Sequence, residues 1–220
     1  FPYTTLFRSR EPLEKSAAAF LSEEKGVATV QEAIDGAKDI LAERVSDNAE
    51  YRTYIRNATM REGLLQSAAK DEKAQTVYEM YYQFEEPLKK AAGHRVLALN
   101  RGEKEKALVV KVTAPEEKIL RYLEKQLIVR ENPYTTPVLR EVAADSYGRL
   151  IAPSIEREVR SDLTEKAEEG AIKVFGKNLE QLLMQPPIVG RVVLGWDPAI
   201  RTDCKLAVVD GTGKVLDTVV

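Results

Sequence analysis

Residues 191–220, RVVLGWDPAIRTDCKLAVVDGTGKVLDTVV, decide how the chain is interpreted because they hold three short apolar runs separated by turn residues. The first run, Val192–Leu194, leads into the tetrapeptide GWDP, which ends at Pro198. The second and third runs, Leu206–Val209 and Val215–Val220, flank a turn that contains two glycines. Apolar runs of this length bounded by Gly, Pro and Asp are typical of β-strands. The stretch therefore predicts a strand, a short loop that carries a carboxylate, and a hairpin.

The composition is that of an ordinary globular protein. Hydrophobic residues make up 44% of the 220 residues, charged residues 31%, and the formal net charge is −2. This charge does not indicate nucleic-acid binding, but local patches decide such contacts more than net charge does. No apolar segment reaches the ~18 residues that cross a bilayer, so no membrane partner is expected. The single cysteine, Cys204, excludes an internal disulfide, and a cytoplasmic location is expected.

The periodicity of apolar residues divides the chain into a helical part and a strand part. The first ten residues, FPYTTLFRSR, show no helical period, and we interpret them as a non-native leader. Residues 11–187 carry mostly three- and four-residue spacing, which predicts a helical region. Residues 190–220 carry only strand patterns. The predicted fold class is therefore α+β, a predominantly helical N-terminal region followed by β-hairpin strands.

Four elements of the helical region are predicted in more detail. An aromatic-rich stripe predicts a helix around Lys73–Phe84 whose rings pack in the core rather than stack on bases. Ala107–Thr113 alternates enough to predict a strand, and Pro115 stands where the next helix can begin. A helix over about Thr136–Ile151 is expected to be interrupted at Pro153. A longer helix then follows, with buried residues four apart.

Asp197 is the candidate for chemistry in the strand part. A carboxylate just past a strand end can hold a divalent cation, orient a water or accept from a sugar hydroxyl. It can equally be a turn aspartate satisfied by nearby amides. Arg201 and Lys205 flank the same loop and could contact a phosphate or pair with acidic neighbours. The other aspartates lie too near in one hairpin to complete a metal site, and we expect turn or surface roles for Asp203, Asp210 and Asp217.

A second candidate surface comes from a basic stretch. Residues 85–140 hold twelve Lys or Arg against eight Glu. Lys104, Lys106 and Lys111 are candidate contacts to a nucleic-acid backbone, although a solvated mixed-charge face is the ordinary alternative. One histidine and one cysteine cannot build a nucleophilic triad, and the chain has no glycine-rich phosphate loop. We therefore predict no catalytic residue, no metal ligand and no cofactor.

Three motifs carry a resemblance to a known family. GHRVLALNRGE (93–103), AIKVFGKNLEQLLMQPP (171–187) and GWDPAIRTDCKLAVVD (195–210) closely resemble the bacterial Tex proteins, transcription accessory factors that bind nucleic acid. The resemblance covers about Val27 to Val220. It implies that residues 191–220 are the first hairpin of a YqgF-type domain with a ribonuclease-H-like α/β fold. Helix-hairpin-helix modules and an OB-fold RNA-binding domain would follow beyond Val220.

The resemblance also assigns residues in the loop. Asp197 matches the carboxylate of the family's G-x-D-P motif, which resembles the first catalytic aspartate of Holliday-junction resolvases. Arg201-Thr202 and Lys205 match the following R-T-x-x-K positions. Asp203 stands where a glycine is expected, which puts a ligand role for this loop in doubt. Asp197 is then a candidate vestigial ligand.

The resulting expectation is an internal fragment of an RNA-binding transcription accessory protein that acts mainly as a scaffold and is not an enzyme. Its expected partners are RNA or DNA, through modules mostly outside these residues, and the transcription machinery. One alternative is a metal-dependent nuclease or resolvase of the ribonuclease-H-like superfamily, with Asp197 as one ligand. A second alternative is an actin-like ATPase. Acidic residues on later strands would favour the nuclease alternative. A second phosphate-loop hairpin would favour the ATPase.

Overall fold

The computed structural model describes all residues except 23, 25, 187 and 199–202. The described residues form two compact units, 1–171 and 172–220. The α-helices are α1 (Thr5–Arg8), α2 (Leu13–Ala17), α3 (Val30–Ser46), α4 (Ala49–Glu62), α5 (Gly93–Lys104), α6 (Glu116–Leu127), α7 (Thr136–Asp145) and α8 (Ala152–Leu183). The strands are β1 (Leu64–Ala69), β2 (Gln83–Pro87), β3 (Leu108–Thr113), β4 (Val193–Asp197), β5 (Lys205–Val209) and β6 (Val215–Val219). Helices and small antiparallel sheets together confirm the α+β class.

Helix α3 begins where the sequence places a capping box. The Thr29 hydroxyl accepts from the Glu32 amide at 3.2 Å, and the Glu32 carboxylate accepts from the Thr29 amide at 3.0 Å. Two amides that a helix start leaves unpaired are thereby satisfied. The helix then buries one face in the core of the first unit. The buried residues of that face are Ala33, Ile34, Ala37, Leu41, Ala42 and Val45.

The first sheet has the strand order β2-β1-β3 and is antiparallel throughout. Its central strand β1 was not predicted. Leu65 and Ser67 point into the core, and the Ser67 hydroxyl donates to the backbone oxygen of Tyr81 at 2.6 Å. The predicted strand over residues 107–113 is confirmed as β3.

The prediction of a helix around Lys73–Phe84 is wrong. This segment forms a turn, a single 3-10 turn at Glu79–Tyr81 and the start of β2. Only Gln83 and Phe84 of this segment pair with β1, while the backbone oxygens of Tyr81 and Tyr82 accept from side-chain and backbone donors of that strand. The expected core role does hold for Tyr78 and Tyr81, which are buried.

The helical path does not stop at Pro153, contrary to the prediction. Helix α7 runs into a π-helical segment, Ser146–Ile151, which runs directly into α8. Proline has no N–H to donate, and a widened turn just before it is one way in which a helix accommodates that loss. The spacing of four is confirmed for the buried residues of α8, which are Ile155, Val159, Leu163 and Ala167.

Helix α8 closes the outer edge of the first sheet. The bond from the Lys70 amide to the Ala107 carbonyl continues the β1–β3 ladder. Because every second residue of an antiparallel strand bonds to its neighbour, the amides and carbonyls of Val110 and Val112 point away from β1, toward the open edge of the sheet. The Val112 amide donates to the Glu156 carboxylate at 2.8 Å, and the Arg160 guanidinium donates to the Val110 carbonyl at 3.3 Å. An edge strand that would otherwise present unpaired groups is thus covered by side chains.

Arg160 also links α8 to α5. Its guanidinium donates to both oxygens of Glu103 and, at 3.3 Å, to the side-chain oxygen of Asn100. The arginine holds the pKa of Glu103 below its ordinary value. On another side of α8, Arg52 pairs with Glu158 at 2.8 Å, which ties α4 to the same helix. Half-buried pairs of this kind contribute modestly one by one, so their value lies in fixing the position of α8.

The first ten residues pack against the rest of their unit, which their sequence did not indicate. Leu6 in α1 is fully buried, and the backbone oxygen of Ser9 accepts from the Asn132 amide side chain at 2.6 Å. The Arg44 guanidinium lies 4.8 Å from the ring centre of Tyr3. The non-native origin of this segment stays a prediction.

We expect Gly63→Ala to destabilise the first unit. A Cβ at Gly63 would lie 2.5 Å from the backbone oxygen of Thr59 and 2.7 Å from that of Thr113, and neither atom can move without shifting the backbone. A loss of about 1–3 kcal/mol in the free energy of unfolding is expected, measured by urea denaturation. The matched control is Gly36→Ala in α3, where a Cβ meets nothing within 4 Å. This change should stabilise by up to about 1 kcal/mol. Equal stability of the two variants would contradict the packing described.

Candidate nucleic-acid interface

Asp197 and Lys205 face each other across two strands. Asp197 is the last residue of β4, Lys205 is the first of β5, and the register pairs them directly. Directly opposed residues share one face of the sheet, with Cβ atoms about 5 Å apart, so their opposite charges attract. Both side chains are exposed. The three strands predicted from residues 191–220 are confirmed as β4, β5 and β6, but Asp197 lies within β4 rather than in the loop after it.

The loop between these strands is described only at its two ends. Arg201 and Thr202 lie outside the described residues, so the predicted contact from Arg201 is not placed. Asp203 and Cys204 are exposed, and the Cys204 thiol lies 3.6 Å from the backbone oxygen of Pro198.

The hairpin between β5 and β6 is organised by Asp210. One carboxylate oxygen accepts from the Thr212 amide at 2.8 Å, from the Thr212 hydroxyl at 2.7 Å and from the Lys214 amide at 3.0 Å. These donors hold the pKa of Asp210 below its ordinary value. The ionised carboxylate therefore stabilises the turn at pH values above the ordinary pKa, and this stabilisation is lost as the pH falls through the lowered pKa. Asp217 accepts from its neighbour's amide at 2.8 Å. Both residues take the turn and surface roles that the sequence indicates.

An exposed apolar face lies on the side of the second sheet opposite Asp197. The register places Leu194 opposite Val208 and Trp196 opposite Leu206, and all four point to this side. Trp196 is 67% exposed and Leu194 61%. These side chains form a contiguous apolar surface, which the sequence pattern alone did not single out.

Lys106 lies two residues beyond the last residue of helix α5 and belongs to the turn that caps it. Its backbone is left-handed, with φ 62°, its amide donates to the Glu103 carbonyl at 3.0 Å, and the Ala107 amide donates to the Gly102 carbonyl at 2.9 Å. This pattern of bonds is the Schellman motif, in which glycine usually occupies the left-handed position. Lys104 lies in the last turn of the same helix, where a positive charge complements the helix dipole.

Lys111 and Lys70 lie on the outer face of the first sheet. Lys111 pairs with Gln66 in the register, and the Gln66 side chain donates to Glu85 at 2.6 Å. The Lys70 amide donates to the Ala107 carbonyl at 2.9 Å, which brings Lys70 beside the end of α5. Sequence reasoning missed Lys70 because it lies more than thirty residues before Lys104. We call the four residues Lys70, Lys104, Lys106 and Lys111 the lysine surface.

The lysine surface differs from three cations on α6 and α7 in how its charges are balanced, although Lys89, Lys90 and Lys125 also form no salt bridge among the described residues. Among the described residues, none of its four side chains forms a salt bridge. Three cations on α6 and α7 do: Lys118, Arg121 and Arg140. Asp71 and Glu105 lie in the same turns, so the local excess is about two positive charges. This surface can attract an anionic backbone but not hold it tightly.

Two absences concern the described part of the chain only. No group of three or more His, Cys, Asp or Glu side chains in it is placed to hold a metal ion. None of its helices has both the length and the apolar character that crossing a membrane requires.

Comparison with known proteins gives two family matches. The model of the Tex central region-like family matches residues 8–175, and the model of the Tex protein YqgF-like domain matches residues 191–220. The chain is 52% identical over 207 residues to the uncharacterized protein YdcI of Bacillus subtilis, and the aligned region covers 93% of this chain and 29% of that protein.

Two further relatives carry descriptive names. Protein tex of Bordetella pertussis is 36% identical, over 92% of this chain and 27% of its own length. The human S1 RNA-binding domain-containing protein 1 is 31% identical, over 94% of this chain and 22% of its own length. The chain thus spans less than a third of the length of each of these relatives.

Proposed function

The chain belongs to the Tex family, and from this premise we propose that it is a scaffold segment of a nucleic-acid-binding transcription accessory protein. The lysine surface is the observation that carries the nucleic-acid part of the proposal. Two of the relatives described above support it, the human protein named for RNA binding and Protein tex of Bordetella pertussis. Its partners are RNA or DNA together with the transcription machinery, and its location is the cytoplasm.

The scaffold role is supported by how the first unit is held together. Helix α8 seals the edge of β3 through Glu156 and Arg160 and is tied to α4 through Arg52. Its buried residues line one face for four turns. A helix fixed on several sides can hold other parts of a longer protein at set positions, which is a structural task rather than a chemical one.

The lysine surface contacts the phosphate backbone rather than the bases. Lysine ammonium groups bind phosphate as point charges, and such contacts carry no sequence information. With about two excess charges, binding by this segment is weak and falls steeply as salt rises. Lys205 adds a further cation in the second unit, opposite Asp197.

We propose that the chain is not an enzyme. Metal-assisted phosphodiester hydrolysis uses several acidic ligands to clamp its ions. The roles of the neighbouring carboxylates support the proposal, since Asp210 organises a turn and Asp217 bonds to the adjacent amide. Asp197 is then a vestigial carboxylate whose charge is balanced across the strands by Lys205. The nuclease and ATPase alternatives gain no specific support from these contacts.

We expect no nuclease activity from the chain. Branched and single-stranded DNA and RNA should remain intact with Mg²⁺ or Mn²⁺, at the background rate of a buffer control, and Asp197→Asn should change nothing. Labelled substrates on denaturing gels measure this directly. Magnesium-dependent cleavage that Asp197→Asn abolishes would establish the nuclease alternative.

We expect the lysine surface to account for most of the chain's nucleic-acid binding. The triple variant Lys104→Gln, Lys106→Gln, Lys111→Gln should weaken binding of a labelled single-stranded RNA. The slope of log affinity against log salt is negative, and it should become less steep by about 2, because each lost contact removes about 0.7. Fluorescence anisotropy between about 50 and 200 mM salt measures the slope.

The matched control removes the same number of charges from cations that already have acidic partners. It is the triple variant Lys118→Gln, Arg121→Gln, Arg140→Gln. We expect a smaller change in slope, although the net charge of the two variants is identical. Equal effects would mean that overall charge, not this surface, governs binding. Submicromolar binding that persists at high salt would contradict the proposed weakness of the interface.

A further inference from the structure

A half-enclosed cavity of about 140 Å³ lies where the π-helical segment meets α8, β3 and α4. All of its lining residues belong to the first unit, and none of them belongs to the lysine surface. Most of its wall is apolar, and two ionisable side chains also line it. The lining residues include Ile55, Val112, Tyr147, Ile155 and Glu156.

Tyr147 places a hydroxyl in this region without a protein partner. The residue is 6% exposed, and no described residue forms a hydrogen bond with its hydroxyl. Burial, with the nearby charge of Glu116, raises the pKa of the hydroxyl, so it stays protonated at neutral pH. The hydroxyl oxygen remains accessible to solvent, and π-helical turns recur at functional sites. Tyr147 lies within such a turn.

Glu156 places a carboxylate at the cavity, and only one of its two oxygens accepts a hydrogen bond from the described residues. One of its oxygens accepts from the Val112 amide at 2.8 Å, and no described residue donates to the other. Neither Glu156 nor Glu116 forms a salt bridge within the described part of the chain. The second oxygen of Glu156 remains accessible to solvent, where it can accept from a bound cation.

We propose that this cavity binds a small organic cation with an apolar body, such as an alkylammonium of about five heavy atoms. The ammonium donates to the free oxygen of Glu156. The Tyr147 hydroxyl lies at the polar end of the cavity, and the alkyl chain lies against Ile55 and Ile155. A cavity of roughly 150 Å³ accommodates benzene, which sets the size of the ligand. This inference goes beyond the proposed function, because no nucleic acid is involved.

The test uses the full 220-residue chain and n-butylammonium chloride as the probe. The methyl groups of Ile55 and Ile155 line the cavity, so their NMR shifts on titration report binding there. Sodium chloride at equal ionic strength controls for salt, and n-butanol is the neutral ligand of similar shape. We expect saturable shifts with n-butylammonium, and binding of n-butanol at least about tenfold weaker, which corresponds to one lost charge-assisted contact.

Two variants test the residues. Glu156→Gln removes the charge but keeps an oxygen for the Val112 amide, so the edge of the sheet stays closed, and it should weaken binding at least about tenfold. Tyr147→Phe removes only the hydroxyl and should weaken binding less. The matched control, Glu158→Gln, lies on the same helix but pairs with Arg52 and should bind as the parent does. Absence of saturable shifts, equal binding of n-butanol, or equal affinities of Glu156→Gln and Glu158→Gln would each overturn the proposal.

Discussion

The outward-facing edge of β3 is closed by two side chains of α8, and the architecture of the first unit depends on this contact. The Glu156 carboxylate accepts from the Val112 amide, and the Arg160 guanidinium donates to the Val110 carbonyl. These side chains bond to the backbone groups that a neighbouring strand would otherwise pair. Arg160 also holds Glu103 on α5, which fixes that helix against the same edge. The end of α5, and with it the position of the lysine surface, follows from where α8 lies. The cavity beside Tyr147 is bounded by the same helix.

Local patterns predicted those elements that are stabilised locally. The four-residue spacing from Ile155 to Ala167 identified the buried face of α8, and the strands β3 to β6 followed from short apolar runs between turn residues. The helix prediction for residues 73–84 was wrong because the aromatic spacing fits a helix, whereas the end of this segment is held by pairing and hydrogen bonds with β1, a partner that residue spacing does not reveal. The π-helical turn before Pro153 likewise depends on packing around it, so a stop was predicted where the helix continues.

The candidate sites likewise contain residues that local patterns predicted and residues that only contacts distant in sequence bring together. The hairpin pattern was enough to bring Asp197 and Lys205 close, because a strand register follows from a short connection. Lys104, Lys106 and Lys111 were found as a run in sequence, but Lys70 joins them only through its bond to Ala107. The left-handed backbone of Lys106 could not be anticipated, since glycine is the usual residue there. Family membership was predicted from three motifs, and the family models match residues 8–175 and 191–220.

The most direct test of this account is native-state hydrogen exchange at the Val112 amide. This amide is bonded to a side chain of α8, whereas the neighbouring Lys111 amide belongs to the ladder with β1. If α8 closes the edge as described, both amides open only when the first unit unfolds, and they show the same free energy of exchange. Exchange of Val112 at the rate of an unstructured amide, with Lys111 still protected, would contradict the central claim.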